Sequence, residues 1–278
     1  MNPVSGSGSS AERTSLPVRV SDPNEDDVDP LAADASDTSD GYWYAVFLAP
    51  LALYLIAGAL IPAVWQRATM DFDSDPGPSQ TLATVAVTLA AVGGMLAWSV
   101  PRATRVFPLR ISPAAWLIGL VGGVVWIVLA APAMEGSLLE AVGGSTTWLG
   151  TRAAVDPWTL FADAGSRVGF LVCRFAVLVV AVPLAEELML RGFLIRAVER
   201  EAWATMPLSQ VTRTGLIAAT VYGVVAHPAE AIAAAVWFSM VTWWMVRSGR
   251  FWDCVVIHAV TNAVLGLYVV ASGDWRLW

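Results

Sequence analysis

The sequence predicts an all-α, polytopic membrane protein: about seven transmembrane helices around a polar intramembrane cavity. Three observations lead there. Of 278 residues, 56% are hydrophobic and only 14% are charged, little more than half the ~25% usual in a soluble domain. From Tyr42 onward the apolar residues fall into segments of about 20, the length a helix needs to cross a bilayer. The charge is also segregated. Residues 1–42 hold nine Asp/Glu against two Arg, so the net charge of −7 belongs to this stretch and the remainder is neutral.

Residues 1–42, rich in Ser, Asp, Gly and Pro, cannot bury enough apolar surface to offset their ordering entropy. A disordered acidic cytoplasmic tail is expected there, followed by a transmembrane domain over 43–278. The first 20 residues hold no continuous apolar stretch, so no secretory signal peptide is predicted. Every basic residue is Arg, and nothing resembles a Lys/Arg-rich nucleic-acid face. Cys173 and Cys254 lie in apolar runs without CxxC spacing and read as buried thiols.

The first membrane segment covers about 43–65, with Trp43 and Trp65 suited to the two aromatic belts. The second covers about 81–100 and the third about 113–134. A fourth starts near Val168 and runs past Glu187. A short one follows at about 214–227, then 229–246 and 251–271. The 14 residue steps from Arg213 to His227 span only ~21 Å of helix, short of the ~30 Å hydrocarbon core. The Pro228 turn after them therefore points to a wet interior. Small residues in Ala91–Gly94 and Val121–Val125 offer sites of close helix packing.

Arginine placement predicts orientation. Arg102, Arg105 and Arg110 crowd one connection, Arg191, Arg196, Arg200 and Arg213 another, and Arg247 and Arg250 a third. The alternate connections are acidic or nearly neutral. By the positive-inside rule the arginine-rich loops face the cytoplasm, with the N-terminus on that side.

Ionisable residues inside a membrane are costly and point to function. The fourth segment carries adjacent Glu186 and Glu187, then Arg191. Glu187 and Arg191 are four apart and share a helix face, while Glu186 is rotated by about 100°. One carboxylate can pair with the arginine and the other point elsewhere. The two histidines, His227 and His258, lie on other segments, and Asn262 shares a face with His258. Such a set permits water activation by a carboxylate helped by an imidazole, with Asn and His N–H groups at an oxyanion. Glu186, His227 and His258 are also a possible ligand set for a divalent metal such as zinc, although no HExxH places two ligands on one helix. Arg174, inside the fourth segment, is placed to pair with a carboxylate or to snorkel. Glu230 and Asp253 read as solvated helix-end residues.

These residues resemble the CAAX-processing and bacteriocin-processing (CPBP) family of intramembrane proteases. Glu186, Glu187 and Arg191, followed by Gly192-Phe193-Leu194, match its EExxxR block. His258 and Asn262 match its HxxxN motif. His227 matches the histidine of its FxxxH motif, with Gly223 in place of the Phe and Tyr222 one position earlier. The resemblance covers about 165–278, the expected protease-like core. It implies that Glu186 and His227 activate water, that His258 and Asn262 stabilise the oxyanion, and that Glu187 and Arg191 support the site. The substrate would be a membrane-associated protein or peptide. The ending Tyr268–Trp278 is similar to the bacterial exosortase-associated subgroup, which implies the bacterial inner (cytoplasmic) membrane. Two other classes fit the same polar set: a non-catalytic membrane scaffold or binding protein, and a proton-coupled transporter. Against the transporter, no repeated half with matching broken helices is visible.

Overall fold

A computed structural model describes residues 40–69, 76–141, 143 and 155–277. Those residues contain helices and loops and no strand. The elements are α1 (Asp40–Thr69), α2 (Pro78–Val106), α3 (Pro113–Leu129), α4 (Pro132–Ala141), α5 (Pro157–Leu160), α6 (Ala164–Ala197), α7 (Arg213–Ala226), α8 (Ala231–Ser248) and α9 (Phe251–Ser272). The expected acidic tail lies outside the described residues, except that 40–42 already belong to α1.

Among the described residues, five helices are long and apolar enough to cross a membrane: α1, α2, α6, α9, and α8 taken from Pro228. The other two apolar helices, α3 and α7, have 17 and 14 residues. The third predicted segment, 113–134, breaks after Leu129. Pro132 has no N–H to continue the ladder and starts α4 instead. Side chains point outward as a bilayer requires: Leu117, Leu120, Val121, Val124 and Val128 of α3 are all exposed. Such a run would be a liability in water and is ordinary in hydrocarbon.

Helix ends follow local chemistry. Asp163 caps α6, its carboxylate accepting from the Ser166 N–H at 2.7 Å, and Thr212 caps α7 through Thr214 N–H at 3.2 Å. Gly249 ends α8 at φ 66°, a left-handed conformation that a side chain would strain.

Close packing centres on α9. Gly119 and Gly123 of α3 sit so near α9 that a Cβ would lie 2.6 Å from Val260 Cβ and 2.7 Å from Val264 Cβ. The predicted small-residue contact is thus realised at 121–125. It is not realised at 91–94, since Gly93 and Gly94 face open space.

Three charged residues depart from their expected settings. Asp253 is fully buried, not solvated. Its carboxylate accepts from Ser112 N–H and Oγ at 2.7 Å each, and from Trp244 Nε1 at 3.0 Å, which ties the α2–α3 connection and α8 to the start of α9. Glu230 is buried as well, with Arg276 among its electrostatic partners. Arg196, expected in an arginine-rich loop, is fully buried among Phe47, Phe107 and Trp203, its guanidinium carbon 5.0–5.8 Å from their ring centres. It donates to the carbonyls of Gly192, Ala204 and Met206. A planar cation with five donors can satisfy carbonyls and stack on aromatics together, so it closes the connection after α6 from inside.

Candidate active site

The site is built on α6. Pro183 interrupts that helix: it carries no N–H, and its ring clashes with the carbonyl four residues back. The helix responds by widening into a π-turn over Val177–Ala181, where Val182 N–H reaches Val177 O. After one regular stretch, Val182–Glu187, a second π-turn covers Leu188–Leu194. Such turns occur often at functional sites. Here they flank Glu186 and Glu187 and turn Arg174, Leu178, Val182 and Glu186 toward one cavity.

The cavity holds about 420 Å³ and is lined by α1, α3, α6, α7, α8 and α9. All four predicted catalytic residues, Glu186, His227, His258 and Asn262, line it, together with Tyr222, Thr261 and Arg174. Tyr222 places its phenol beside the Glu186 carboxylate. Glu187 and Arg191 lie behind the cavity wall with no exposure.

The two glutamates have separate environments, as the helical spacing predicts. Arg191 Nη1 donates to Glu187 Oε1 at 2.6 Å and Oε2 at 2.7 Å. Arg191 Nη2 reaches Thr242 Oγ1 at 3.5 Å, and the guanidinium carbon lies 5.4 Å from the Phe238 ring centre and 5.7 Å from that of Trp237. Glu187 Oε1 also lies 2.9 Å from His258 Nδ1. A carboxylate there accepts, so Nδ1 carries the hydrogen and Nε2 is presented to the cavity. Nε2 stands 3.7 Å from Glu186 Oε2.

His227 is the residue that ends α7. Its Nδ1 lies 3.1 Å from the Gly223 carbonyl, which again assigns the hydrogen to Nδ1 and makes Nε2 the acceptor nitrogen. Its ring sits 5.3 Å from Trp126 and 5.6 Å from Phe238, centre to centre. Phe238 accounts for the departure at Gly223, since its ring occupies the space a Cβ there would enter. An aromatic from α8 thus stands beside the place where the FxxxH motif has its own. Sequence reading missed this, because positions 223 and 238 belong to different helices.

Asn262 donates from Nδ2 to Leu178 O at 2.8 Å. Trp237 Nε1 donates to Thr261 Oγ1 at 3.1 Å, and Thr261 Oγ1 donates to Gly119 O at 3.1 Å. These bonds fix α9 against α6, α8 and α3.

Among the described residues, no three His, Cys, Asp or Glu side chains converge as a metal-ligand set. Both Nδ1 atoms are taken by protein acceptors, Glu187 for His258 and Gly223 O for His227, and Glu186 Oε2 stands 3.7 Å from His258 Nε2.

Comparison with known families shows what this constellation is similar to. Residues 168–264 match the family described as type II CAAX prenyl endopeptidase Rce1-like. That segment, about a third of the chain, is similar to a domain of that family. No curated protein and no solved structure gives a significant match. The matched CAAX-protease segment contains Glu186, Glu187, Arg191, His227, His258 and Asn262. It stops at residue 264, before the ending on which the expected exosortase-associated subgroup rests, and that subgroup is not confirmed. Peptidase activity is therefore supported at family level.

Proposed function

We propose that this chain is an intramembrane endopeptidase that hydrolyses a peptide bond of a membrane-associated protein or peptide with Glu186 as general base. The observation that carries this reading is the meeting of the Glu186 carboxylate and His258 Nε2, 3.7 Å apart, in a polar cavity walled by apolar helices. A water held between Glu186 and His227 gives its proton to Glu186 as its oxygen attacks the scissile carbonyl carbon. The resulting oxyanion receives the Asn262 N–H and, when Nε2 is protonated, that of His258. Collapse breaks the C–N bond, and Glu186 returns the proton to the leaving amine. Glu187, charge-neutralised by Arg191, holds the His258 ring.

Orientation is part of the proposal. The Arg102–Arg110, Arg200–Arg213 and Arg247–Arg250 ends face the cytoplasm with the N-terminus, in a bacterial cytoplasmic membrane. Arg191 and Arg196 are buried and do not count toward that bias.

The test compares membrane-proteome termini from cells carrying the wild type or Glu186→Gln. Termini present only with the wild type are expected, and they name the cleavage sequence. Identical sets, with the variant expressed and folded, would replace this reading with a non-catalytic scaffold.

A further inference from the structure

Leu178 and Pro183 give Asn262 its orientation. In a regular α-helix the Leu178 carbonyl would accept from Val182 N–H. The π-turn moves that register by one, and Val182 N–H goes to Val177 O instead. The next donor in the shifted register belongs to residue 183, which is proline and has none. The Leu178 carbonyl thereby turns to another helix and accepts Asn262 Nδ2 at 2.8 Å. A carbonyl accepts only, so it fixes the amide with its NH2 group toward α6 and its oxygen away.

We infer that Pro183 is a positioning residue: by withholding an N–H from Leu178 O, it leaves that carbonyl to hold the Asn262 amide, whose second N–H is then aimed into the cavity. This rests on the endopeptidase reading for its catalytic consequence, but the structural coupling stands without it. Asn262 lies one turn from His258 on α9 and lines the same cavity as Glu186. One amide hydrogen is held by Leu178 O, and the other serves as the oxyanion donor at a fixed angle. The proline that interrupts α6 is part of how the site is aimed.

Pro183→Ala is the decisive variant, because it supplies the missing donor from within the helix. Purified protein in detergent micelles is compared as wild type, Pro183→Ala, Asn262→Ala and the double variant. Asn262→Ala lowers Tm in the wild-type background, since a part-buried carbonyl loses its donor. In the Pro183→Ala background the same change leaves Tm nearly unmoved, because residue 183 now serves Leu178 O. Equal losses in both backgrounds would overturn the inference. This arm needs no activity, so it stays informative if Glu186→Gln shows that there is no cleavage.

The second arm uses a peptide spanning a cleavage site found only with the wild type. Pro183→Ala lowers kcat by about tenfold to a hundredfold, leaves KM within about twofold, and does not lower Tm. Added to Asn262→Ala it costs nothing further. A Pro183→Ala enzyme with wild-type kcat would refute the positioning role. Pro183→Ser offers the same N–H and serves if the alanine variant does not fold.

Discussion

His258 Nδ1 lies 2.9 Å from Glu187 Oε1, the same oxygen that receives Arg191 Nη1 at 2.6 Å. One carboxylate oxygen thus joins the arginine of α6 to the imidazole of α9, with no member of the trio appreciably exposed. The arrangement does two separable things. It neutralises a charge that would otherwise be stranded in low dielectric, and it decides which ring nitrogen of His258 faces the cavity.

Separating those two effects gives a first prediction. Arg191→Met strands Glu187 and should cost about 3–5 kcal/mol, the usual penalty for breaking one half of a buried pair. Glu187→Leu combined with Arg191→Met removes both charges and should recover most of that loss. Cleavage should not recover, because His258 Nδ1 has lost its acceptor. Thermal unfolding and the wild-type-only termini measure the two quantities. Recovery of both together would show that His258 does not depend on Glu187.

The EExxxR spacing makes the Glu187–Arg191 pair legible in the sequence, since four residues bring two side chains together on any helix. The apolar segments are legible for a similar reason: bilayer thickness sets their length. Four other features are not. The break after Leu129 depends on how Pro132 is accommodated, which a hydropathy window does not register. Arg196 reads as a loop cation until residues 47, 107 and 203 close around it. Asp253 reads as a helix-end acid until Ser112 and Trp244 arrive from distant positions. The first π-turn follows from Pro183, yet where the extra residue is absorbed depends on the packing of α6 against its neighbours, and the second, over Leu188–Leu194, has no proline to announce it.

Gly223 supports a second prediction. Because the Phe238 ring fills the space beside it, Gly223→Ala should destabilise by about 1–3 kcal/mol through overpacking. Phe238→Ala alone leaves a cavity and should cost about 3–5 kcal/mol. Combining them should be less harmful than the sum, since the new methyl enters vacated space. Thermal unfolding of the three variants measures this, and strict additivity would count against the contact.

Asp253 supports a third. Its two oxygens accept three hydrogen bonds while fully buried. Asp253→Asn puts an NH2 group where Ser112 or Trp244 already donates, so one donor faces another. A loss of about 1–3 kcal/mol is expected from the unsatisfied groups. Asp253 lies away from the cavity lining, so the variant should still cleave where it folds. Unfolding midpoints and cleavage termini from one preparation decide it; loss of cleavage at unchanged stability would assign Asp253 to the reaction.

The last prediction concerns pH and the entry to α7. Glu199 accepts from Thr212 N–H and Gly215 N–H at 2.8 Å each, and from the Thr212 hydroxyl at 3.0 Å. Slight burial pushes its carboxyl up, but the bonds from Thr212 and Gly215 outweigh this and hold it below the usual carboxylate range. A group depressed in the folded state stabilises fully above its unfolded value, about 4.3 for Glu. That contribution disappears as the pH falls through the lower folded value. The connection leading to the His227 helix should therefore loosen in acid. Protease susceptibility of residues 199–215, followed from pH 7 to about pH 3, should rise below the Glu range in the wild type. Glu199→Gln keeps one acceptor oxygen but loses the charge, and its susceptibility should be higher at neutral pH and nearly flat across that range. A wild type as flat as the variant would mean that Glu199 does not hold the start of α7.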